Sequence, residues 1–459
     1  MNELVHRTAT ELAAMIRRRE VSSREVVEAH LARIADVNGT VNAITVVLAD
    51  DALAAADAAD RSEPTGALHG VPVTIKENID LIGSATTDGL PALEHAMPVG
   101  DAPVVERLKA AGAIPIARTN LPELGLRLDT DNPLHGRTHN PWRHDVTAGG
   151  SSGGEAASLA TGMSPLGLGN DIGGSLRNPA FCCGVAGLRP TMGRVPSAGS
   201  VDPVDPAMCG QLMATDGAIA RSVADLRLAL ELLNGSHWRS PTSVDVAIAS
   251  PAPPRRVAAI VDTAAFGVVD PAIVRSVHDA GAALEAAGWA VEHVELPELA
   301  FVNEIWMRTM CADLELMIPA VRQIVTAPVI DLLEQHSTVY DLVAMPTAAV
   351  WPQRHRLMRA WSEWFRQYSV VVSPVWPEQA FPAAADLDRG IEYVARMLQF
   401  VTPGPLLGLP AVAVPTGVHD GLPVGVQVQA DRWRDDWCLD AAAAIEATLG
   451  SFTPIDPVA

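Results

Sequence analysis

The sequence predicts an α/β fold in which a mostly buried sheet is covered by helices on both faces. Three observations carry that expectation. The chain has 459 residues, 48% hydrophobic and 19% charged, which is enough apolar material for a large core. Short apolar runs alternate with segments of helical periodicity over most of the chain, the pattern of strands backed by helices. The first long helical segment also carries its own start signal.

That signal is Ser22 with Glu25 three residues on, a capping box in which each side chain satisfies a free amide at the helix start. Val26, Val27, Ala29, Leu31 and Ile34 follow as a helical apolar stripe. Residues 49–60 are alanine-rich and read as a second helix. The runs Val71–Ile75, Ala113–Ala117, Val257–Val261, Val370–Ser373, Ala411–Pro415 and Val424–Val428 read as strands. Helical patterns lie near 102–111, 155–163, 222–233, 271–287 and 436–447. Asn234 to Arg256 is rich in serine and proline and reads as a surface connection. Trp306, Trp351, Trp361, Trp364 and Trp376 crowd the last third, either as core packing or as an aromatic-lined cap over a pocket.

The balance of 33 basic to 54 acidic residues gives a formal charge of −21. Such a chain repels nucleic acid and anionic lipid, so a small neutral or apolar substrate is expected. The start of the sequence lacks the apolar core of a signal peptide, and no stretch reaches the length of a membrane span. Five scattered cysteines without a C-x-x-C pair argue against a disulfide framework or a thiolate zinc site. A cytoplasmic location is the expectation.

Only two of the basic residues, Lys76 and Lys109, are lysines. Arginine stays protonated, whereas a buried lysine can lose its proton and act as a base. Lys109 sits in a charged helical pattern, but Lys76 ends the apolar run Val71-Pro72-Val73-Thr74-Ile75 and is the better candidate for chemistry.

The densest signal is Thr147-Ala148-Gly149-Gly150-Ser151-Ser152-Gly153-Gly154-Glu155, followed by Gly169-Asn170-Asp171-Ile172-Gly173-Gly174-Ser175-Leu176-Arg177. Glycine-flanked serines invite a nucleophile, and successive amides at Ile172, Gly173, Gly174 and Ser175 suit an oxyanion hole. A phosphate loop needs a lysine that is absent here. Gly149-Gly150-Ser151-Ser152-Gly153 matches the G-x-S-x-G elbow literally, but no good strand precedes it. A flexible linker does not explain why Gly-Gly-Ser recurs downstream.

Gly149 to Thr191, through Pro179-Ala180-Phe181-Cys182-Cys183-Gly184-Val185-Ala186-Gly187-Leu188-Arg189-Pro190, resembles the signature of the amidase signature hydrolases. The likeness extends to Leu68–Asn78, to Gly404–Ala411 and to Gly421–Gln427, and is least at about 290–365. It implies an α/β/α sandwich with a large mixed central sheet in a single domain, 1–459. Within it, 65–230 is the catalytic core, 290–365 a variable tryptophan-rich cap, and 368–450 the C-terminal strands. It also implies a Ser–cisSer–Lys triad, with Ser175 as nucleophile, Ser151 as relay and Lys76 as base, and an oxyanion hole at Ile172, Gly173 and Gly174. Neutral Lys76 would take a proton from Ser151 while Ser151 takes one from Ser175, activating the nucleophile without histidine.

The implied activity is cleavage of the C–N bond of small, fairly apolar amides, with aryl amides and carbamates in range and no cofactor or metal. The glutaminase subunit of a tRNA-dependent amidotransferase is the alternative. Expected partners are a small-molecule amide or carbamate, with no nucleic acid and no membrane; a homodimer is left open. Asn170, Ala148 and Arg189 depart from the family's frequent threonine, proline and lysine, and none is expected to touch the triad. Pro405 replaces a common asparagine near the acyl pocket, while Asp171 and Arg177 match residues that brace the loop. His135 and His139 read as loop residues, Cys182 and Cys183 as core, and Arg221 with Asp225 as a helical surface pair.

Overall fold

A computed structural model describes residues 2–201, 205–253, 256–263, 267–340 and 345–458. Within the regions named above, 202–204, 254–255, 264–266, 341–344 and the two terminal residues lie outside the described residues. One eleven-stranded sheet collects β1 (Ile44–Val47), β2 (Pro72–Lys76), β3 (Ile114–Thr119), β4 (Leu166–Asp171), β5 (Ala186–Arg189), β6 (Thr215–Ala220), β7 (Val257–Val261), β8 (Ala290–Val294), β9 (Val370–Pro374), β10 (Ala411–His419) and β11 (Leu422–Gln429). Their order across the sheet is β1-β3-β2-β4-β6-β5-β10-β11-β9-β7-β8. Strand β2 runs parallel to β3 and β4, and β7 runs parallel to β8 and β9. The pairs from β4 through β6, β5, β10 and β11 to β9 are antiparallel, so the sheet is mixed.

Side chains leave a strand on alternate faces, and each face here has its own hydrophobic layer. Val73, Ile75, Leu166, Leu168, Val412 and Val426 pack on one side with the helices Pro103–Ala110, Val223–Leu233, Pro271–Ala286 and Asp435–Leu449. The other layer includes Ala156 and Leu159 of Gly153–Ala160, Phe181 of Arg177–Cys183, and residues of Leu299–Val321 and Thr347–Trp364. The capping box forms as expected, with Ser22 and Glu25 exchanging bonds at the start of Ser23–Val41. No helix among the described residues is long and apolar enough to cross a membrane.

Arg221 and Asp225 are not a surface pair. Both are buried, and each serves a distant segment. Arg221 Nη1 donates to the Ser164 carbonyl at 2.7 Å and Nη2 to the Val5 carbonyl at 3.1 Å. Asp225 accepts from the Ala9 and Thr10 amides at 3.0 and 2.9 Å, capping the helix Ala9–Arg17. The tryptophans divide between roles. Trp376 stacks on Phe381 in the core, Trp361 donates to the Pro297 carbonyl, Trp364 packs on Tyr368 and Trp351 lies beside Arg354. Among the five, only Trp306 lines the cavity described below.

Candidate active site

Alternation along β2 aims Thr74 and Lys76 away from the layer that holds Val73 and Ile75. They meet the loop and helix that follow Gly149. Thr74 Oγ1 donates to Glu155, Thr119 Oγ1 of the neighbouring β3 donates to it at 2.7 Å, and Lys76 Nζ lies 2.7 Å from Ser151 Oγ. A side chain at Gly167 of β4 would collide with the Glu155 carboxyl, and a Cβ at Gly169 would lie 2.7 Å from Ser152 Oγ. Glycine at both places is what lets the loop and its helix lie against the strand. The Gly150–Ser151 peptide is cis, as the resemblance implies.

Parallel β2 and β4 are neighbours inside the sheet and finish at the same end of it. Lys76 closes one, and the turn bearing Ser175 follows the other. Asp171 organises that turn. Its carboxylate accepts from the Gly174 amide at 2.9 Å, the Leu176 amide at 3.3 Å, and Arg177 Nε and Nη2 at 3.0 Å each. Arg177 and Arg189 are wholly buried against it, the second also donating to the Asp171 carbonyl. Burial alone would raise the Asp171 carboxyl, but the two guanidiniums outweigh it and hold the group well below the usual carboxylate range. The expectation that Asp171 and Arg177 brace the loop is met.

The Gly174 amide is therefore committed to Asp171, which removes it from the expected set of oxyanion donors. Among the described residues, the amides of Ile172, Gly173 and Ser175 have no such acceptor. Ser151 and Ser175 sit on facing segments, the Ser152 amide donating to the Ser175 carbonyl at 3.3 Å, but no hydrogen bond joins their hydroxyls. Asn170 also differs from expectation. It does touch Lys76, accepting from Nζ at 2.8 Å.

Ser175 opens on a cavity of about 60 Å³. Its walls are Leu126, Leu128, Met310, Leu314, Leu332, Leu333, Val394 and Leu398, with Trp306 beside the turn and His336 behind. Trp306 Nε1 donates to the Ile172 carbonyl at 3.1 Å, and a Cβ at Gly173 would stand 3.0 Å from its ring. Pro405 is buried in the helix Pro403–Leu407 and is not among the lining residues. Arg127 is charged but tied to Asp386 at 2.9 Å. Burial pushes the His336 imidazole down to about 4, so it is neutral at working pH.

The decisive electrostatic fact concerns Lys76. Burial pushes its ammonium down to about 7, against the pull of Asp88, Asp216, Asp171 and Glu155. Near neutrality a large fraction is the free amine, and an amine 2.7 Å from a hydroxyl can take its proton. Burial likewise raises Glu155 and Asp216 to about 7. Other candidates lie away from this chemistry. His135 faces Glu77 at 3.0 Å, His139 stacks on His144, and Cys182 and Cys183 are buried thiols raised by desolvation. Lys109 pairs with Asp101. Reading the sequence missed the contact of Asn170 with Lys76, the bracing role of Trp306, and His336; the departure at Asn170 and the crowding of tryptophans around Trp306 were the signals available.

The model of the amidase family matches residues 25–439. An indoleacetamide hydrolase of Bradyrhizobium diazoefficiens is 40% identical, over 96% of this chain and 86% of its own length. A glutamyl-tRNA(Gln) amidotransferase subunit from Salinispora arenicola is 32% identical over 99% of both chains. Among solved structures, a bacterial aryl acylamidase of the amidase signature family superposes with a TM-score of 0.83 at 26% identity over 96% of each chain. The chain belongs to the amidase signature family, enzymes that hydrolyse amide carbon–nitrogen bonds.

Proposed function

We propose that this chain hydrolyses small aryl-substituted carboxamides through an acyl-enzyme on Ser175. The observation that carries the reading is the buried Lys76 amine 2.7 Å from Ser151 Oγ, at the end of the strands where Ser175 faces an apolar cavity. Lys76 takes the Ser151 proton as Ser151 takes that of Ser175, and Ser175 Oγ bonds to the substrate carbonyl carbon. For this transfer the two hydroxyls must close to hydrogen-bond distance when substrate arrives. The amides of Ile172, Gly173 and Ser175 receive the oxyanion. The proton returns through Ser151 to the leaving nitrogen, the C–N bond breaks, and water then releases the acid.

The apolar lining of the cavity suits an aryl or other apolar acyl group, in keeping with the indoleacetamide hydrolase relative, and at about 60 Å³ its walls must move apart to admit such a ring. It argues against glutamine. A substrate ammonium needs a carboxylate, and none stands among the lining residues; Arg127, the lining cation that could meet a substrate carboxylate, is spent on Asp386. A panel of indole-3-acetamide, phenylacetamide, an acyl anilide, an aryl carbamate and glutamine tests this by ammonia or aniline release. A primary arylacetamide is expected to exceed glutamine in kcat/KM by about 100-fold or more, the scale of leaving a polar group unpaired. Turnover of glutamine alone, or only with a second subunit, would replace this reading with the amidotransferase one.

A further inference from the structure

We propose that Asp88, through Asn78 and Asn170, forms a one-directional hydrogen-bond relay that aims the lone pair of Lys76 at Ser151. The proposal rests on the triad reading above. Lys76 Nζ lies 2.8 Å from Asn170 Oδ1, and Asn170 Nδ2 lies 3.0 Å from Asn78 Oδ1. Next in line is the Asp88 carboxyl, which burial raises to about 6 and which Lys76 and the Asn78 side chain draw back toward the ionised form. The direction of every link follows from donor chemistry. A lysine nitrogen offers N–H to Asn170, so the amide oxygen faces the lysine and the amide nitrogen faces Asn78. Asn78 then accepts from Asn170 and has only its own N–H left for the Asp88 carboxylate. All the bonds point toward Asp88, the one member able to carry a negative charge.

The consequence falls on Ser151. Neutral lysine has two N–H groups and one lone pair. With one N–H pinned on Asn170, rotation about the Cε–Nζ bond is restricted and the lone pair is held for the Ser151 hydroxyl proton. No proton travels along the asparagines. They act as aligned dipoles that favour the ammonium formed when Lys76 accepts, and such chains polarise one another in a dry site.

Four acids face Lys76: Asp88, Asp216, Asp171 and Glu155. Three are committed elsewhere, Asp171 to the two arginines, Glu155 to Thr74 and Thr119, and Asp216 to Ser197. Asp88 itself is faced by Lys76, Asp80 and Glu77. Of these, Asp80 accepts from Thr86 and Ser200, and Glu77 pairs with His135. Asp88 also sits at φ +49°, a left-handed conformation uncommon outside glycine, with its carbonyl held by the Leu124 amide at 2.9 Å. Backbone outliers of this kind cluster at functional sites.

The test is the pH dependence of Ser175 inactivation by a fluorophosphonate, which needs no knowledge of the substrate. The position of the acid limb is read, because partial unfolding lowers the amplitude without moving it. Asp88→Asn removes an anion near Lys76, so its limb is expected about one pH unit lower, with a plateau about tenfold down. Asn170→Leu lowers the plateau too, and in that background Asp88→Asn is expected to lower the plateau by no more than about twofold, while the limb still shifts because the Asp88 charge acts on Lys76 through space. Asn170→Thr gives Lys76 an oxygen but Asn78 no donor. It is expected to keep more of the plateau than the leucine variant, and that plateau is expected to be equally insensitive to Asp88→Asn. Plateau losses that add fully in the double variant would overturn the relay, and a limb for Asp88→Asn superimposed on the parent would remove Asp88 from the surroundings of Lys76. An unlabelled parent Ser175 would overturn the triad beneath it.

Discussion

Ser175→Ala is expected to abolish turnover, by about four orders of magnitude or more, while the protein melts within a few degrees of its parent. The magnitude follows from the role. Without Oγ no acyl-enzyme forms, and the remaining amides and cavity can only bind the substrate. The fold is indifferent, because Ser175 Oγ has no hydrogen-bond partner among the described residues and opens on the cavity. A fluorophosphonate is expected to add to Ser175 Oγ with loss of fluoride, and peptide mapping locates the adduct. The five cysteines are not rivals. All are buried, and desolvation raises their thiols above the ordinary range. An adduct on Ser151, or a Ser175→Ala protein with near-parental turnover, would remove Ser175 from the mechanism.

Lys76→Arg is the second large effect, a loss of about 10²- to 10⁴-fold that Lys76→Met is expected to match. Arginine keeps the charge and roughly the reach, but it does not release a proton at any working pH. A fixed cation beside Ser151 also lacks a lone pair to receive its proton. The parent rate is expected to rise with pH through about 7, since Lys76 is protonated and inactive below that value and free above it. Lys109→Arg serves as the control. Lys109 is partly exposed and paired with Asp101 at 2.6 Å, so rate and profile are expected within about twofold of the parent. If Lys76→Arg kept most of the parental rate, Lys76 would be an electrostatic support and not a base.

Much of this was legible in the sequence where one residue type dominates locally. Val257–Val261 reads as a strand and is one with the same ends, because five consecutive apolar side chains suit burial on both faces. Strand β4, Leu166–Asp171, was missed for a reason built into the site. Gly167 and Gly169 break its apolar pattern, and they are there to admit Glu155 and Ser152. The short β5 and the alanine- and glycine-bearing β6 escaped in the same way. The lysine and the two serines stood out through composition and glycine density, since Lys76 is one of two lysines in the chain. Asn78 and Asp88 did not stand out. A polar residue after a strand is ordinary, and its meaning appears only when the sheet brings residue 170 beside residue 76. Arg221 and Asp225 show the converse error. Their i, i+4 spacing is that of a surface pair, but the segments each one holds lie over 50 residues away.

The most direct test of the account is the titration of Lys76 itself. Two lysines in the whole chain make this tractable, because isotope labelling of the lysine Cε produces two resonances, and Lys109→Arg leaves one. The account predicts that this remaining resonance titrates near 7, far below the ordinary lysine value of 10.5, and that it vanishes in Lys76→Met. A Lys76 resonance that titrates at the ordinary value would mean an ammonium at neutral pH, and the proposed proton transfer through Ser151 would be contradicted.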